Sequence, residues 1–367
     1  MILLFILLAV IASFLYGMLL SKYGKLWRSI PETEFDISAK QTVSIVVPFR
    51  NEEVHLEALL RSLRGLVKTN IDIEVLLIDD HSADRSLSII EDFSGELNLK
   101  VLSLQGSYGK KEALKLGWKS ATSEIIMQTD ADCVVQADWL TSMLLPFQNS
   151  RVMLASGPVK YFDATKFLGR VVEYDFLGLI AIGASHIKWK LPMICNGANL
   201  AYRKEVTESV NLLDSKASGD DVFLMQSVFN RDPDSVVFVK SKSAIVSTLG
   251  PKGFDEFWNQ RLRWASKNGD YDVKKNTYIL LGLWLYNLLI LGAFLSYNEI
   301  GALVGFYLLV TKILSETTFY SKFMPFFEKK NWWGALILGQ PFHVLYMSLL
   351  PPLSQVLKYT WKERKLK

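Results

Sequence analysis

The first twenty residues, MILLFILLAVIASFLYGMLL, contain no charged side chain. As a helix rising ~1.5 Å per residue, such a run crosses the ~30 Å hydrocarbon core of a bilayer. A cleaved signal peptide would put a basic residue before the apolar run and a small-x-small site after it. The basic residues instead follow the run, at Lys22, Lys25 and Arg28. Residues 1–21 are therefore expected to form an uncleaved anchor. By the positive-inside rule the N-terminus lies outside and the chain from residue 22 onward is cytoplasmic.

A second apolar mass lies towards the other end. Residues 276–298 carry no charge and read as a span, and residues 300–320 read as another, with Lys312 and Glu316 near its far end. Residues 331–357 also lack Asp, Glu, Lys and Arg, but Gln340-Pro341 and Pro351-Pro352 interrupt them. Four full spans from an outside start would leave the tail outside. Yet the tail 358–367, KYTWKERKLK, is strongly basic and should be cytoplasmic. The proline-broken stretch is the natural re-entrant or interfacial element, since irregular backbone at membrane depth must be satisfied by protein or a cavity. Lys312 and Glu316 are spaced to pair on one helix face. Snorkelling at the inner interface is the leading expectation for them, and a polar lining of a substrate path the alternative.

Residues 40–270 form the region able to build a water-soluble core. The chain of 367 residues is 50% hydrophobic and 21% charged, a balance that excludes general disorder. Its net charge of +4, with no basic stripe interleaved with aromatics, gives no footprint for a nucleic-acid partner. Cys133 and Cys195 stand far apart, which excludes a disulfide framework and a structural zinc site. His55, His81, His186 and His343 are scattered without metal-ligand spacing.

Within this region strand and helix patterns alternate. VSIVVPF (43–49), IEVLLIDD (73–80), 99–104 and EIIMQTD (124–130) read as strands. Residues 51–66, 84–93 and 110–120 read as helices. That order implies a mostly parallel α/β sheet, in which chemistry collects at the carboxyl ends of the strands. Those ends are polar: Pro48-Phe49-Arg50-Asn51-Glu52, then Asp79-Asp80-His81-Ser82, then Asp130-Ala131-Asp132. Neither a dinucleotide-binding glycine fingerprint nor a P-loop is present. Gly106-Ser107-Tyr108-Gly109-Lys110-Lys111 opens a helix and could set N–H groups and a lysine near a phosphate. Asp130 and Asp132, at the end of a buried strand, can hold Mg²⁺ or Mn²⁺ while a diphosphate supplies further oxygens. Asp232-Pro233-Asp234 and Asp270-Tyr271-Asp272 share the spacing but read as solvated loop acids. FLGLIAIGA (176–184) is too short to span and reads as a core helix or a membrane-facing element. FDEFWNQRLRWASK (254–267) reads as a helix lying on the membrane surface or packing an aromatic face.

VSIVVPFRNEE, LLIDDHSADRS, GKKEAL, QTDAD, GDDVFLM and QRLRW occur in this order. The series resembles family 2 glycosyltransferases over roughly residues 40–270. Gln260-x-x-Arg263-Trp264 is its sharpest part, being typical of membrane-bound synthases such as those of cellulose, chitin, hyaluronan and poly-N-acetylglucosamine and of ceramide glucosyltransferases. The resemblance implies a GT-A fold, a nucleotide-sugar donor and inversion at the anomeric carbon. By position, it implies that Asp80 holds the nucleotide base, with Pro48, Arg50 and Glu52 lining that pocket and Lys111 near the nucleotide. It further implies that Asp130 and Asp132 bind the sugar nucleotide and a divalent metal, and that Asp221 is the catalytic base. Gln260, Arg263 and Trp264 would close over diphosphate and acceptor. The family's Glu-Asp pair is Asp220-Asp221 here, which leaves Asp220 as a second candidate base. Asn196-Gly197-Ala198-Asn199 resembles a family loop near the donor sugar.

The expectation is an α/β GT-A enzyme with one N-terminal and about three C-terminal transmembrane or re-entrant helices, in a bacterial inner membrane. It would transfer a sugar from a UDP- or GDP-sugar to a lipid, lipid-linked or glycan acceptor at the cytoplasmic face. A processive polysaccharide synthase coupled to export is the alternative, and a non-catalytic scaffold subunit the third reading.

Overall fold

The computed structural model describes residues 2–32, 41–67, 70–162, 164–209, 219–266, 274–357, 359–361 and 364–366. Asp270 and Asp272, residue 40 and part of the basic tail lie outside them. In chain order the first elements are α1 (Ile2–Ser29), β1 (Gln41–Phe49), α2 (Leu56–Arg64), β2 (Ile71–Asp79), α3 (Ser86–Glu91), β3 (Leu99–Ser103), α4 (Lys110–Ser120) and β4 (Ile125–Gln128). Then come α5 (Trp139–Leu144), β5 (Leu154–Ser156), β6 (Val159–Tyr161), α6 (Phe167–Lys188), β7 (Leu200–Arg203), α7 (Asp220–Arg231), β8 (Val236–Phe238) and β9 (Val246–Thr248). The helices α8 (Phe254–Ala265), α9 (Lys274–Leu295), α10 (Glu299–Phe323), α11 (Trp333–Leu338) and α12 (Gln340–Val356) follow. A hairpin of β10 (Tyr359–Trp361) and β11 (Arg364–Leu366) comes after them.

The chain divides into two compact units. The α/β unit comprises Ile30–Phe162 and Ile194–Leu249; the helical unit comprises Met1–Ser29, Asp163–Met193 and Gly250–Lys367. Thus α6 and α8, both inside the stretch expected to be one soluble domain, belong to the unit that holds the membrane-length helices.

In the α/β unit a seven-stranded sheet runs β3-β2-β1-β4-β7-β5-β8. The four strands β3, β2, β1 and β4 are parallel, as the apolar runs imply. The sheet then departs from the all-parallel pattern. β7 is antiparallel to both β4 and β5, pairing Ile125 with Arg203 and Ala155 with Ala201. The inner parallel strands β1, β2 and β4 carry continuous apolar runs because both faces are covered there, and Val43, Ile45, Val46, Val47, Leu76, Leu77 and Met127 are buried; β3, at the sheet edge, is largely exposed. Burying each such side chain contributes about 1.5–3 kcal/mol. Helix α4 lies close on β1: a Cβ at Gly117 would come 2.5 Å from Val46 Cγ1, so only glycine fits there.

In the helical unit α1, α9 and α10 are long and apolar enough to cross a membrane. The 331–357 stretch instead forms the short α11 and the 17-residue α12, with Pro351 and Pro352 inside the latter. Helix α1 runs past the apolar segment to Ser29, and its extra turns are packed. The Tyr23 hydroxyl lies 2.8 Å from His186 Nε2, and Trp27 nests among Phe323, Phe326 and Phe327. Helix α6 includes the 176–184 stretch and is a largely buried core helix of this unit. Lys312 and Glu316 do pair, at 2.5 Å, but the expected snorkelling does not occur, because Lys312 is fully buried. Its ammonium also donates to Gln340 Oε1 at 2.7 Å and meets His343 Nδ1 at 3.0 Å. Polar groups on α12 thus satisfy it inside the protein.

Candidate active site

The loops after β1 and β2 are tied to each other at the carboxyl edge of the sheet. Asn51 (φ 51°) and His81 (φ 59°) take left-handed backbone, which turns the chain sharply as each strand ends. The Asn51 N–H donates to Ser82 Oγ at 3.0 Å, and the Ala83 N–H donates back to Asn51 Oδ1 at 2.9 Å. Glu53 N–H to Asp84 and Glu52 N–H to Ser86 Oγ, both 2.9 Å, continue the seam. This local use of side-chain acceptors delays the first helix, predicted from residue 51, to Leu56.

The seam brings together the residues assigned to the nucleotide. Arg50 Nη1 donates to the Asp80 carbonyl at 3.0 Å, the Asp80 carboxylate is buried, and Pro48 pairs with Ile78 in the parallel ladder. Buried Glu52 lies 3.0 Å from His55 Nδ1. His81 sits 3.3 Å from Asp80 and stacks on Tyr108 with ring centroids 4.3 Å apart. The sequence places His81 at a strand end and Tyr108 in the loop that opens α4 but assigns neither ring a role, since stacking between two loops leaves no periodic signal.

The carboxylates gather around one lysine. Lys110 opens α4 and its ammonium is 2.6 Å from Asp130 Oδ1, just past β4. Burial alone would lower its pKa. The charges of Asp130, Asp220 and Asp221 outweigh that and hold it above the usual lysine range. The neighbouring Lys111, expected near the nucleotide, is one helical step round and buried, its ammonium 5.8 Å from the Phe223 ring centroid. Asp220 and Asp221 form the first turn of α7 after Gly219, whose φ of 104° favours glycine. Asp221 Oδ2 accepts the Gly197 N–H at 3.1 Å, and its Oδ1 accepts the Val222 N–H at 2.8 Å. Gln128 Nε2 donates to the Gly197 carbonyl at 3.1 Å. A Cβ on Gly197 would lie 3.5 Å from both Lys110 Nζ and the Asp221 Cβ, so this loop glycine sits between the base candidate and the lysine.

Asp130 and Asp132 flank buried Ala131 and are both half-exposed. Among the described residues no group of three or more His, Cys, Asp or Glu side chains is arranged to hold a metal. Two hard carboxylates leave positions for phosphate oxygens and waters, which fits Mg²⁺ or Mn²⁺. Buried Cys133 has its thiol pKa pushed well up by burial and by Asp132 and Asp130, so it stays a thiol. Arg151 holds Asp232 at 2.7 Å and Asp234 at 2.8 Å, a structural ion pair. Gln260, Arg263 and Trp264 lie on α8 of the helical unit, each half-buried, with Trp264 stacked on Phe176 at 6.0 Å.

Residues 44–210 match the model of glycosyl transferase family 2. A Bacillus subtilis (strain 168) protein described as a probable glycosyltransferase, YdaM, is 26% identical over 251 residues, covering 66% of this chain and 58% of its own. A poly-beta-1,6-N-acetyl-D-glucosamine synthase of Staphylococcus epidermidis is 24% identical over 233 residues, covering 63% of this chain and 55% of its own. The chain thus matches less than two thirds of the length of these relatives. Among solved structures, the mannosyltransferase PcManGT from Pyrobaculum calidifontis, in complex with GDP-Man and Mn²⁺, is similar with a TM-score of 0.57 and 17% identity. That alignment covers 97% of this chain and 96% of the other.

Proposed function

We propose that this chain, whose residues 44–210 are a family 2 glycosyltransferase domain on a GT-A fold, transfers a sugar with inversion from a UDP- or GDP-sugar to a lipid or lipid-linked glycan. The observation that carries this reading is the Lys110–Asp130 contact at the carboxyl edge of parallel strands, with Asp220 and Asp221 beside it. Such a cluster suits a diphosphate and a hydroxyl that must lose its proton.

Asp80, Pro48, Arg50 and Glu52 receive the nucleoside, and Tyr108, backed by His81, gives its base a flat aromatic ledge. Lys110 meets the diphosphate, and Lys111, one helical step round, adds positive charge near the nucleotide. Asp130 and Asp132 would hold Mg²⁺ or Mn²⁺, which when bound neutralises charge on the departing diphosphate. Asp221 takes the acceptor hydroxyl proton, its two backbone N–H contacts fixing the carboxylate's orientation; Asp220 is the reserve candidate. Gln260, Arg263 and Trp264 engage diphosphate and acceptor, where the Arg263 guanidinium shares the charge.

Three membrane-length helices support an acceptor drawn from the bilayer. The basic residues after α1 support a cytoplasmic catalytic domain, and the membrane-length helices support a membrane-bound one. A second reading, a processive polysaccharide synthase, is favoured by the relative named as a poly-N-acetylglucosamine synthase. Membranes containing this chain, given labelled UDP- and GDP-sugars and divalent metal, test both. Label extracted by organic solvent supports single transfer to a lipid. Label in insoluble, high-mass material establishes polymer synthesis. No metal-dependent transfer under any donor, with nucleotide still bound, returns the chain to the scaffold reading.

A further inference from the structure

Asp175, in the middle of α6, is where three helices of the helical unit meet. Its Oδ2 lies 2.6 Å from Arg261 Nη2 on α8. Its Oδ1 accepts the Tyr346 hydroxyl of α12 at 2.7 Å and lies 3.6 Å from His343 Nε2. The contacts continue inward. His343 Nδ1 meets Lys312 Nζ at 3.0 Å, Gln340 Nε2 donates to Glu316 Oε2 at 2.6 Å, and the Tyr16 hydroxyl donates to Glu316 Oε1 at 2.6 Å. Asp175, Glu316, His343, Gln340 and Tyr346 line a cavity of about 20 Å³, enough for one water-sized group. A polar chain therefore runs from α1 through α10 and α12 to α6 and ends on α8.

At that end the geometry is restrictive. Arg261 is buried, with its guanidinium 5.1 Å from the Phe257 ring centroid and 4.6 Å from that of Trp264. Trp264 in turn stacks on Phe176, the residue after Asp175. Gln260, Arg263 and Trp264 share one arc of α8 by their i, i+3, i+4 spacing, and Arg261 flanks it. A planar guanidinium set between a carboxylate and two rings restrains rotation of α8 about its axis. Buried charges are a costly way to pack helices, since apolar side chains do so without desolvation; what they add is direction.

We propose that Asp175 is a positioning residue: by pinning Arg261 it sets how α8 presents Gln260, Arg263 and Trp264 to diphosphate and acceptor. This rests on the role assigned to those three residues above.

The test uses the full chain in detergent or native membranes, with wild type and Asp221→Asn as references. Asp175→Asn and Arg261→Lys are expected to lower kcat about 10²-fold, as a displacement near 1 Å would, while binding of Mn²⁺ alone, which needs only Asp130 and Asp132, holds. The double variant Asp175→Asn, Arg261→Gln is expected to restore the melting temperature without restoring kcat, because an amide pair removes the buried charges but not the need for a fixed guanidinium. Recovery of kcat together with melting temperature in the double variant would make Asp175 merely structural and overturn the proposal. So would a wild-type kcat in Asp175→Asn or Arg261→Lys. If wild type itself transfers no sugar while binding nucleotide, the functional reading fails, and the positioning role with it.

Discussion

The Lys110 ammonium lies 2.6 Å from the Asp130 carboxylate, with Asp220 and Asp221 acting on the same charge. Its pKa is raised, so the cation and the stability it contributes are present below the ordinary lysine pKa. Both are lost only as pH rises through the raised value. Nucleotide binding should therefore show no titration of this group between about pH 6 and 9. Lys110→Gln is expected to weaken nucleoside diphosphate binding roughly 10- to 100-fold, the range of one charged hydrogen bond. The same change leaves the carboxylates uncompensated, so Mn²⁺ alone should bind more tightly in an electron paramagnetic resonance titration. Unchanged nucleotide affinity would reduce Lys110 to a resting counter-ion of Asp130.

The acids should separate by role. Asp221 is oriented by the Gly197 and Val222 amides, and Asp221→Asn is expected to cut transfer by about 10²–10⁴-fold while nucleotide-sugar binding persists. Asp132→Ala should instead abolish the metal-dependent part of donor binding. Calorimetric titration with and without Mn²⁺, beside a transfer assay, distinguishes the two. Near-normal turnover in Asp221→Asn, with Asp220→Asn inactive, would move the base to Asp220.

The parallel half of the sheet was legible because β1, β2 and β4 are buried on both faces and write continuous apolar runs. β5, β7 and β8 are three or four residues each and do not lead from a helix pattern into strand-end acids, unlike equally short β4 between α4 and the acids, so sequence pattern does not report the antiparallel insertion. Among site residues, the strand-end acids stand where strand ends predict. Two lysines open α4 side by side; adjacent residues of a helix point about 100° apart, and only the contact with Asp130 tells that Lys110 faces that acid. Lys312 misled for a related reason. Its partners Gln340 and His343 are on another helix, and spacing within one helix reports only Glu316.

Glu74 ties the sheet to the loop before β4. It accepts from Ser44 Oγ, and from the Thr122 N–H at 2.6 Å and the Thr122 hydroxyl at 2.7 Å. Burial alone would raise its pKa; these hydrogen bonds hold it below the ordinary glutamate value. A lowered pKa means the contribution is present above the ordinary glutamate pKa and lost as pH falls through the folded value. Glu74→Gln should thus lower the melting temperature at neutral pH, and the gap from wild type should narrow below about pH 4. A gap that stays constant across that range would show that the carboxylate charge contributes nothing.

Tyr108 is 62% exposed, yet its ring is backed by His81 at 4.3 Å, and His81 leans on Asp80. A largely exposed ring held by a second ring is preorganised to stack a base, and such stacking is worth about 1–3 kcal/mol, or roughly 5- to 150-fold in affinity. Tyr108→Ala should therefore weaken UDP and GDP by that range, with GDP losing more because guanine covers more of the ring. Tyr108→Phe should bind like wild type. Pyrophosphate with Mn²⁺, which has no base, should bind Tyr108→Ala and wild type equally, separating the ledge from the charges around Lys110. Equal weakening of pyrophosphate would place the effect in the Gly106–Lys110 loop rather than in base stacking, and unchanged UDP and GDP binding would remove Tyr108 from the donor site.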